Sequence, residues 1–130
     1  MTRTPLALIS LALALGGFAA EAGASAPKPL PRLMGVPCHR VVASASLTGF
    51  SCGWPSDPRS YVVTIEVADH SPYGRRPEDV RSGTWVRTTR LGFAGRVYVM
   101  VVATRTDGDV KRARREATWA AKLLARVNSA

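Results

Sequence analysis

Residues 96–127 decide the fold and read RVYVMVVATRTDGDVKRARREATWAAKLLARV. At 96–104, the odd positions from Val97 to Ala103 and the even positions from Tyr98 to Val102 are all apolar. Such a run predicts a central strand of a sheet that is covered on both sides. Residues 106–109, TDGD, then combine a turn with candidate helix N-caps, so we expect a helix to begin directly after them.

From Val110 onward, apolar side chains recur at intervals of three and four residues, which places them on one stripe of a helix. The stripe consists of Ala113, Ala117, Ala120, Leu124 and Val127. This period predicts an amphipathic C-terminal helix whose stripe packs on the sheet.

Three further stretches favour strands. Residues 61–68 alternate so that Tyr61, Val63 and Ile65 share a core face, and shorter strands are expected at 50–54 and 85–91, the second ending in a turn at 91–95. The chain therefore belongs to the α+β class. We expect a small antiparallel sheet of about three to five strands, with the helix on one face.

The same order of elements supports a comparison with a known kind of domain. A Cys-Gly-Trp strand at 52–54, a Gly-Phe-Ala turn at 92–94, the valine-rich strand and the final helix follow one another. Across residues 38–127 this pattern resembles small exported bacterial domains of the PsbP-like kind. The resemblance has no specific motif, and the lipidated cysteine usual in those domains is missing, so we take no function from it.

The first 26 residues have the pattern of a cleavable signal peptide. Arg3 is followed by an apolar run at 6–15, and small-x-small cleavage sites end at Ala22 and Ala26. We expect cleavage after Ala26, with Ala22 as the alternative, and export to the periplasm or the medium. The run is too poor in large apolar residues for a retained spanning helix, which needs about 20 of them. No second apolar run is long enough to cross a membrane, so we expect no membrane span after cleavage.

Behind the signal peptide we expect a Pro-rich linker at 27–37 and a single small domain at 38–130. The chain carries a net charge of +9. This excess of positive charge favours an anionic partner, with solubility alone as the simpler reading. We expect an anionic envelope polymer or a protein partner, and favour nucleic acid less.

Cys38 and Cys52 are the two cysteines of the chain. In an exported protein they predict one disulfide, which would stabilise the domain by about 3 kcal/mol for a loop of about 15 residues. Between them, residues 39–47 fit either a short helix or a strand. A hairpin turning at 48–49 would leave Cys38 far along the ladder from Cys52, which favours the helix.

The residues that best suggest a binding surface lie on the C-terminal helix, opposite the apolar stripe. They form a cationic ridge with one aromatic side chain, and two arginines of the 69–83 loop could extend it. These candidates for contact with an anionic partner are Arg112, Arg115, Trp119, Lys122, Arg126, Arg75 and Arg76. The simpler interpretation is a solvated helix face that keeps the domain in solution.

Catalytic patterns are weak. Residues 69–71 read Asp-His-Ser, but neighbouring side chains point apart, whereas a hydrolytic triad is assembled from separate segments. We expect a long exposed connection at 69–83 with one helical turn at 77–79. The alternative function is a small secreted hydrolase or an enzyme inhibitor acting through this loop and His70. We name no catalytic residue, metal ligand or cofactor, and favour a non-enzymatic binding module.

Overall fold

The computed structural model describes residues 28–72, 74 and 76–129, so the predicted signal peptide at 1–26 lies outside the described residues. Within them, one sheet is followed by one helix. The elements are β1 (Arg32–Leu33), β2 (Val36–Ala43), β3 (Leu47–Gly53), β4 (Arg59–Val67), β5 (Glu78–Ser82), β6 (Trp85–Ala94), β7 (Val97–Arg105) and α1 (Val110–Ser129). The α+β class is confirmed. The described sheet has 7 strands, more than we expected.

Every pair of neighbouring strands is antiparallel, in the order β1-β2-β3-β4-β7-β6-β5. Between β1 and β2, Met34 and Gly35 both have positive φ, at 51° and 80°, as a two-residue type I′ turn requires. Gly83 and Gly95, each with φ 60°, begin the turns on either side of β6. These short turns fix the register of β6, one of the two strands on which α1 rests.

The core lies between α1 and one face of the sheet. Tyr61, Val63 and Ile65 in β4 are buried, as their alternation predicted. The helical stripe is buried as well, except for Val127, which is 39% exposed near the end of α1. Burying each such valine or isoleucine side chain stabilises the fold by about 1.5 to 3 kcal/mol.

Alanine on the buried face of α1 brings the helix close to β6. A Cβ atom on Gly92 would lie 2.4 Å from the carbonyl oxygen of Ala121, too near for any side chain. Gly92 therefore lies within a strand, beneath the helix, and not in the turn predicted at 91–95. That turn is shorter and consists of Gly95 and Arg96, because β6 continues to Ala94.

Strand β7 is central, but it is not covered on both sides as we expected. Its residues Val99 and Val101 are fully buried beneath α1. Met100 and Val102 point to the opposite face and are only partly buried. One helix covers one face, and no element of the described residues covers the other.

The segment between the cysteines forms strands, so the helix that we favoured is wrong. The chain turns at residues 44–46, earlier than we assumed, and the Ser44 amide donates a hydrogen bond to the Leu47 carbonyl at 2.8 Å. This register places Cys38 directly opposite Cys52, with Cα atoms 4.0 Å apart. The predicted disulfide is confirmed.

Two segments expected to lack regular structure belong to the sheet. Part of the predicted linker forms β1 and the beginning of β2, where Leu33 and Val36 are buried. In the predicted 69–83 connection, β5 replaces the helical turn at 77–79, pairing along β6 from Glu78 to Ser82. Both are edge segments rich in proline or charge, so their sequences look like loops.

Candidate anion-binding groove

A buried ionic cluster fixes the first half of α1 on the sheet. Arg105 at the end of β7 is 4% exposed and donates to Asp107 at 2.7 Å and to Glu116 at 3.1 Å. The hydroxyl of Tyr61 donates to the same Glu116 oxygen at 2.8 Å. These bonds tie β4, β7 and α1 together, so the orientation of the helix is set by charge-assisted contacts as well as by packing.

The titration behaviour of this cluster follows from its contacts. Burial, and then the hydrogen bond to Glu116, raise the pKa of Tyr61 well above its usual range, so its hydroxyl stays protonated. The hydrogen bond from Arg105, helped by one from the Asp109 amide, lowers the pKa of Asp107 to about 2. Tyr61 therefore stays neutral and Asp107 stays charged throughout the neutral range, and we assign the cluster a structural role.

The beginning of α1 is capped as the sequence indicated. The Asp109 carboxylate accepts a hydrogen bond from the Arg112 amide at 3.0 Å, which satisfies one of the free donors of the first turn. With this end held, the exposed flank of α1 faces outward beside β6 and β5.

An open groove lies between that flank and β6. Its volume is about 610 Å³. The lining combines four cations with a threonine and a tryptophan. They are Arg90, Arg114, Arg115, Thr118, Trp119 and Lys122.

The groove contains part of the predicted cationic ridge. Arg115, Trp119 and Lys122 line it. Arg112 and Arg126 are exposed on the same helix but are not among the lining residues.

Of the two loop arginines predicted to extend the ridge, the described one does not line the groove. Arg76 is exposed and absent from the lining, and the prediction for Arg75 lies outside the described residues. The idea that this loop folds against the ridge therefore has no support from the position of Arg76.

Sequence reasoning missed Arg90 and Arg114. Arg90 is on β6, on the face covered by α1, and its nearness to the helix depends on how the helix crosses the sheet. Arg114 is adjacent to Arg115 in sequence but about 100° away around the helix, which placed it off the predicted ridge. Alternation along β6 puts Arg90 on the same face as buried Thr88, but the sequence alone did not show which face of this strand is buried.

One carboxylate stands beside these cations. Asp79 on β5 pairs with Arg90 at 3.0 Å and with Arg114 at 2.8 Å. Its burial raises its pKa, but hydrogen bonds from Arg90 and Arg114 outweigh that effect and hold the pKa below the usual value. In the described part of the chain, Arg115 and Lys122 have no ion-pair partner, so the groove keeps a positive excess.

Trp119 gives the groove an apolar surface next to the charges. The residue is 53% exposed, which is unfavourable for a large aromatic side chain unless something packs on it. An exposed ring beside arginine and lysine is suited to a ligand that carries both flat or cyclic units and negative charge.

Neither of the two described cavities is lined by Asp69 or His70, the residues of the alternative site. Asp69 pairs with Arg96 at 3.0 Å, and both side chains are mostly exposed. His70 is exposed and lines neither the groove nor the second described cavity, of about 360 Å³. That second cavity is formed by Ser71, Leu91, Gly92, Phe93 and Tyr98.

Residues 28–72, 74 and 76–129 offer neither a cluster of metal ligands nor a free thiol. In this part of the chain, no three His, Cys, Asp or Glu side chains come together as metal ligands. No helix in it combines the length and apolar character needed to cross a membrane. Both cysteines are in the disulfide, so neither supplies a thiol.

No family model, no curated protein and no solved structure matches the chain. The resemblance to PsbP-like domains therefore gains no support from these comparisons.

Proposed function

We propose that the protein is a non-enzymatic binding module that holds an anionic polymer in the groove between α1 and β6. The observation that carries this proposal is the convergence of Arg90, Arg114, Arg115 and Lys122, of which Arg90 and Arg114 share the Asp79 carboxylate. Two of these cations have no partner in the described residues, so an anionic ligand would meet charges that are not already neutralised.

The shape of the site also favours a polymer over a small buried ligand. The groove is open to solvent and bounded by long flexible side chains, whereas sites for small molecules usually enclose most of their ligand. Attraction between the groove and a chain of negative charges would be long-ranged and weakened by salt, since the Debye length falls to about 8 Å at physiological ionic strength. Trp119 would pack on cyclic units of the polymer.

The test compares two variants with the same change in net charge. Arg115→Glu/Lys122→Glu alters the groove, and Arg112→Glu/Arg126→Glu alters exposed positions of the same helix outside it. Binding to labelled polygalacturonate and to polyphosphate is measured at several salt concentrations, with neutral dextran as the negative control. We expect the groove variant to lose at least about tenfold in affinity, and the control variant to lose no more than about threefold.

Equal losses in both variants would contradict the proposal, because they would show that overall charge, and not the groove, attracts the ligand. Absence of binding by the wild type to both polymers at low salt would contradict it as well.

We further propose that the chain acts outside the cytosol, in the periplasm or the medium, after removal of residues 1–26. The disulfide between Cys38 and Cys52 supports this proposal, because disulfides form and persist in oxidising compartments. Intact-mass analysis of the exported protein should give a mature chain that begins after Ala26 or Ala22. Recovery of the full-length chain from the cytosol alone would contradict export.

A further inference from the structure

Asp79 occupies a particular position relative to two of the groove cations. It lies on the edge strand β5, where it pairs in register with Thr88 of β6. One of its oxygens, Oδ2, accepts a hydrogen bond from Nε of Arg114 at 2.8 Å. The other, Oδ1, accepts one from Nη1 of Arg90 at 3.0 Å. This carboxylate thus connects β5, β6 and α1 at one wall of the groove.

The two arginines differ in how many of their N–H donors are already bonded to described residues of the protein. Nη1 of Arg90 also donates to the Thr89 carbonyl at 2.8 Å and lies 3.4 Å from the Glu78 carbonyl, and its side chain is 19% exposed. Arg114 is bonded through Nε alone within the described residues, and its side chain is 48% exposed. Arg90 is therefore largely committed to the protein, while the Nη1 and Nη2 atoms of Arg114 are available to a ligand.

A guanidinium group held at Nε keeps its outer edge in a defined plane. The two Nη atoms on that edge match the spacing of two oxygens of a carboxylate or a phosphate, which gives paired hydrogen bonds with fixed geometry. A free arginine must lose side-chain entropy to present this edge. Contact with Asp79 removes part of that loss before the ligand arrives.

We propose that Asp79 is a positioning residue, which holds Arg114 ready to bind a carboxylate or phosphate group of the ligand by paired hydrogen bonds. This inference rests on the proposed function of the groove. It adds a specific subsite, at the wall formed by β5 and β6, to the general attraction of the cations. A negatively charged residue would thus promote the binding of an anion.

This proposal and a purely electrostatic account predict opposite signs for the same substitution. Asp79→Asn removes a negative charge next to the groove, so attraction alone would strengthen binding of any anion. The side-chain amide, however, offers one acceptor oxygen where the carboxylate offered two, and it is neutral. The hold on Arg114 is weakened, and the paired contact with the ligand becomes less favourable.

The experiment measures binding of short oligogalacturonates and of tripolyphosphate to wild type, Asp79→Asn and a matched control, Asp69→Asn. The control removes an equal charge from an exposed acid that pairs with Arg96, away from the groove. We expect Asp79→Asn to weaken binding of at least one probe by about two- to fivefold, and Asp69→Asn to leave it equal or slightly stronger. The probe that shows the loss identifies the oxyanion as a carboxylate or a phosphate.

A second variant tests whether Asp79 affects binding through Arg114. This variant lies on α1, so it does not alter the edge strand β5. Arg114→Lys keeps the charge on an exposed helix position but lacks the paired donors, so we expect it to weaken the same probe. In the Arg114→Lys background, Asp79→Asn should then have little further effect, because its partner has gone. Thermal unfolding of each variant confirms that binding is measured on folded protein.

Binding of both probes by Asp79→Asn at wild-type strength or tighter would overturn the inference, as would wild-type binding by Arg114→Lys. Either result would leave the groove proposal standing if Arg115→Glu/Lys122→Glu still abolishes binding of the polymers. The two failures are therefore distinguishable.

Discussion

The close approach of Gly92 to Ala121 allows a specific test of how α1 lies on the sheet. A Cβ atom added by Gly92→Ala would be 2.4 Å from the Ala121 carbonyl oxygen and 2.6 Å from its carbonyl carbon. Both are backbone atoms of a helix, so no side-chain rotation can relieve the overlap. The helix would have to move outward by about 1 Å to restore ordinary van der Waals contact.

Overpacking of this kind costs about 1 to 3 kcal/mol, because a rigid interface must separate. For a domain of this size the melting temperature falls by about 4 to 8 °C for each kcal/mol, so we expect a decrease of at least about 4 °C. Gly74→Ala is the matched control, since nothing lies within 4 Å of the added atom and its φ lies outside the left-handed region. It should change the melting temperature little.

The assay is thermal and urea unfolding of both variants, with circular dichroism as the signal. Lys122 follows Ala121 directly and lines the groove, so a displaced helix should also weaken binding of the anionic polymer. If Gly92→Ala were as stable as Gly74→Ala, α1 could not approach β6 as closely as described, and the position of the groove wall would have to be revised.

Two further predictions concern pH and the aromatic side chain. Asp107 has its pKa lowered to about 2, and the pKa values of Asp79 and of Asp57, which pairs with Arg59 at 3.0 Å, are lowered as well. The stability that these carboxylates contribute should be complete above about pH 4 and be lost as the pH falls towards 2. Urea unfolding at a series of pH values measures the free energy of unfolding, and Asp107→Asn should make its decrease with pH less steep. A free energy of unfolding that does not fall in this range would contradict the contacts assigned to these carboxylates. Trp119→Ala should weaken binding of polygalacturonate, whose units are rings, by about fivefold or more while leaving polyphosphate nearly unaffected, as a direct titration would show. Equal effects on both polymers would show that the indole does not pack on rings.

The elements that were predicted correctly are those with a long, regular pattern. Strand β7 and helix α1 are specified by apolar positions of clear period, and the buried stripe of α1 follows from it. The coverage of β7 was overestimated, because apolar residues on both faces of a strand do not show whether a second layer exists to cover them. Met100 and Val102 lie on the face of the sheet that no element of the described residues covers.

The errors in the first half of the chain come from register and from edge strands. The hairpin that joins Cys38 to Cys52 was missed because its turn lies at residues 44–46, and a shift of a few residues changes which side chains face each other. Strands β1 and β5 have the composition of loops. They are strands because a neighbouring strand offers them hydrogen bonds, which local sequence does not reveal.

The candidate site was likewise predicted only in part. The periodicity of α1 identified Arg115, Trp119 and Lys122, since residues on one helix have a fixed angular relation. It could not identify Arg90 or Asp79, whose nearness to the helix depends on the packing of β6 and β5 against it. The residues that convert a charged helix face into a groove are therefore those contributed by the sheet.

The most direct test of the central claim is an NMR titration of ¹⁵N-labelled protein with short oligogalacturonates at low salt, following the backbone amides and the indole NH of Trp119. We expect shifts confined to the groove side of α1 and the adjoining part of β6, with the Trp119 indole among the largest, and we expect added salt to reverse them. Shifts confined to the open face of the sheet around Met100 and Val102, or no shifts at all, would contradict it.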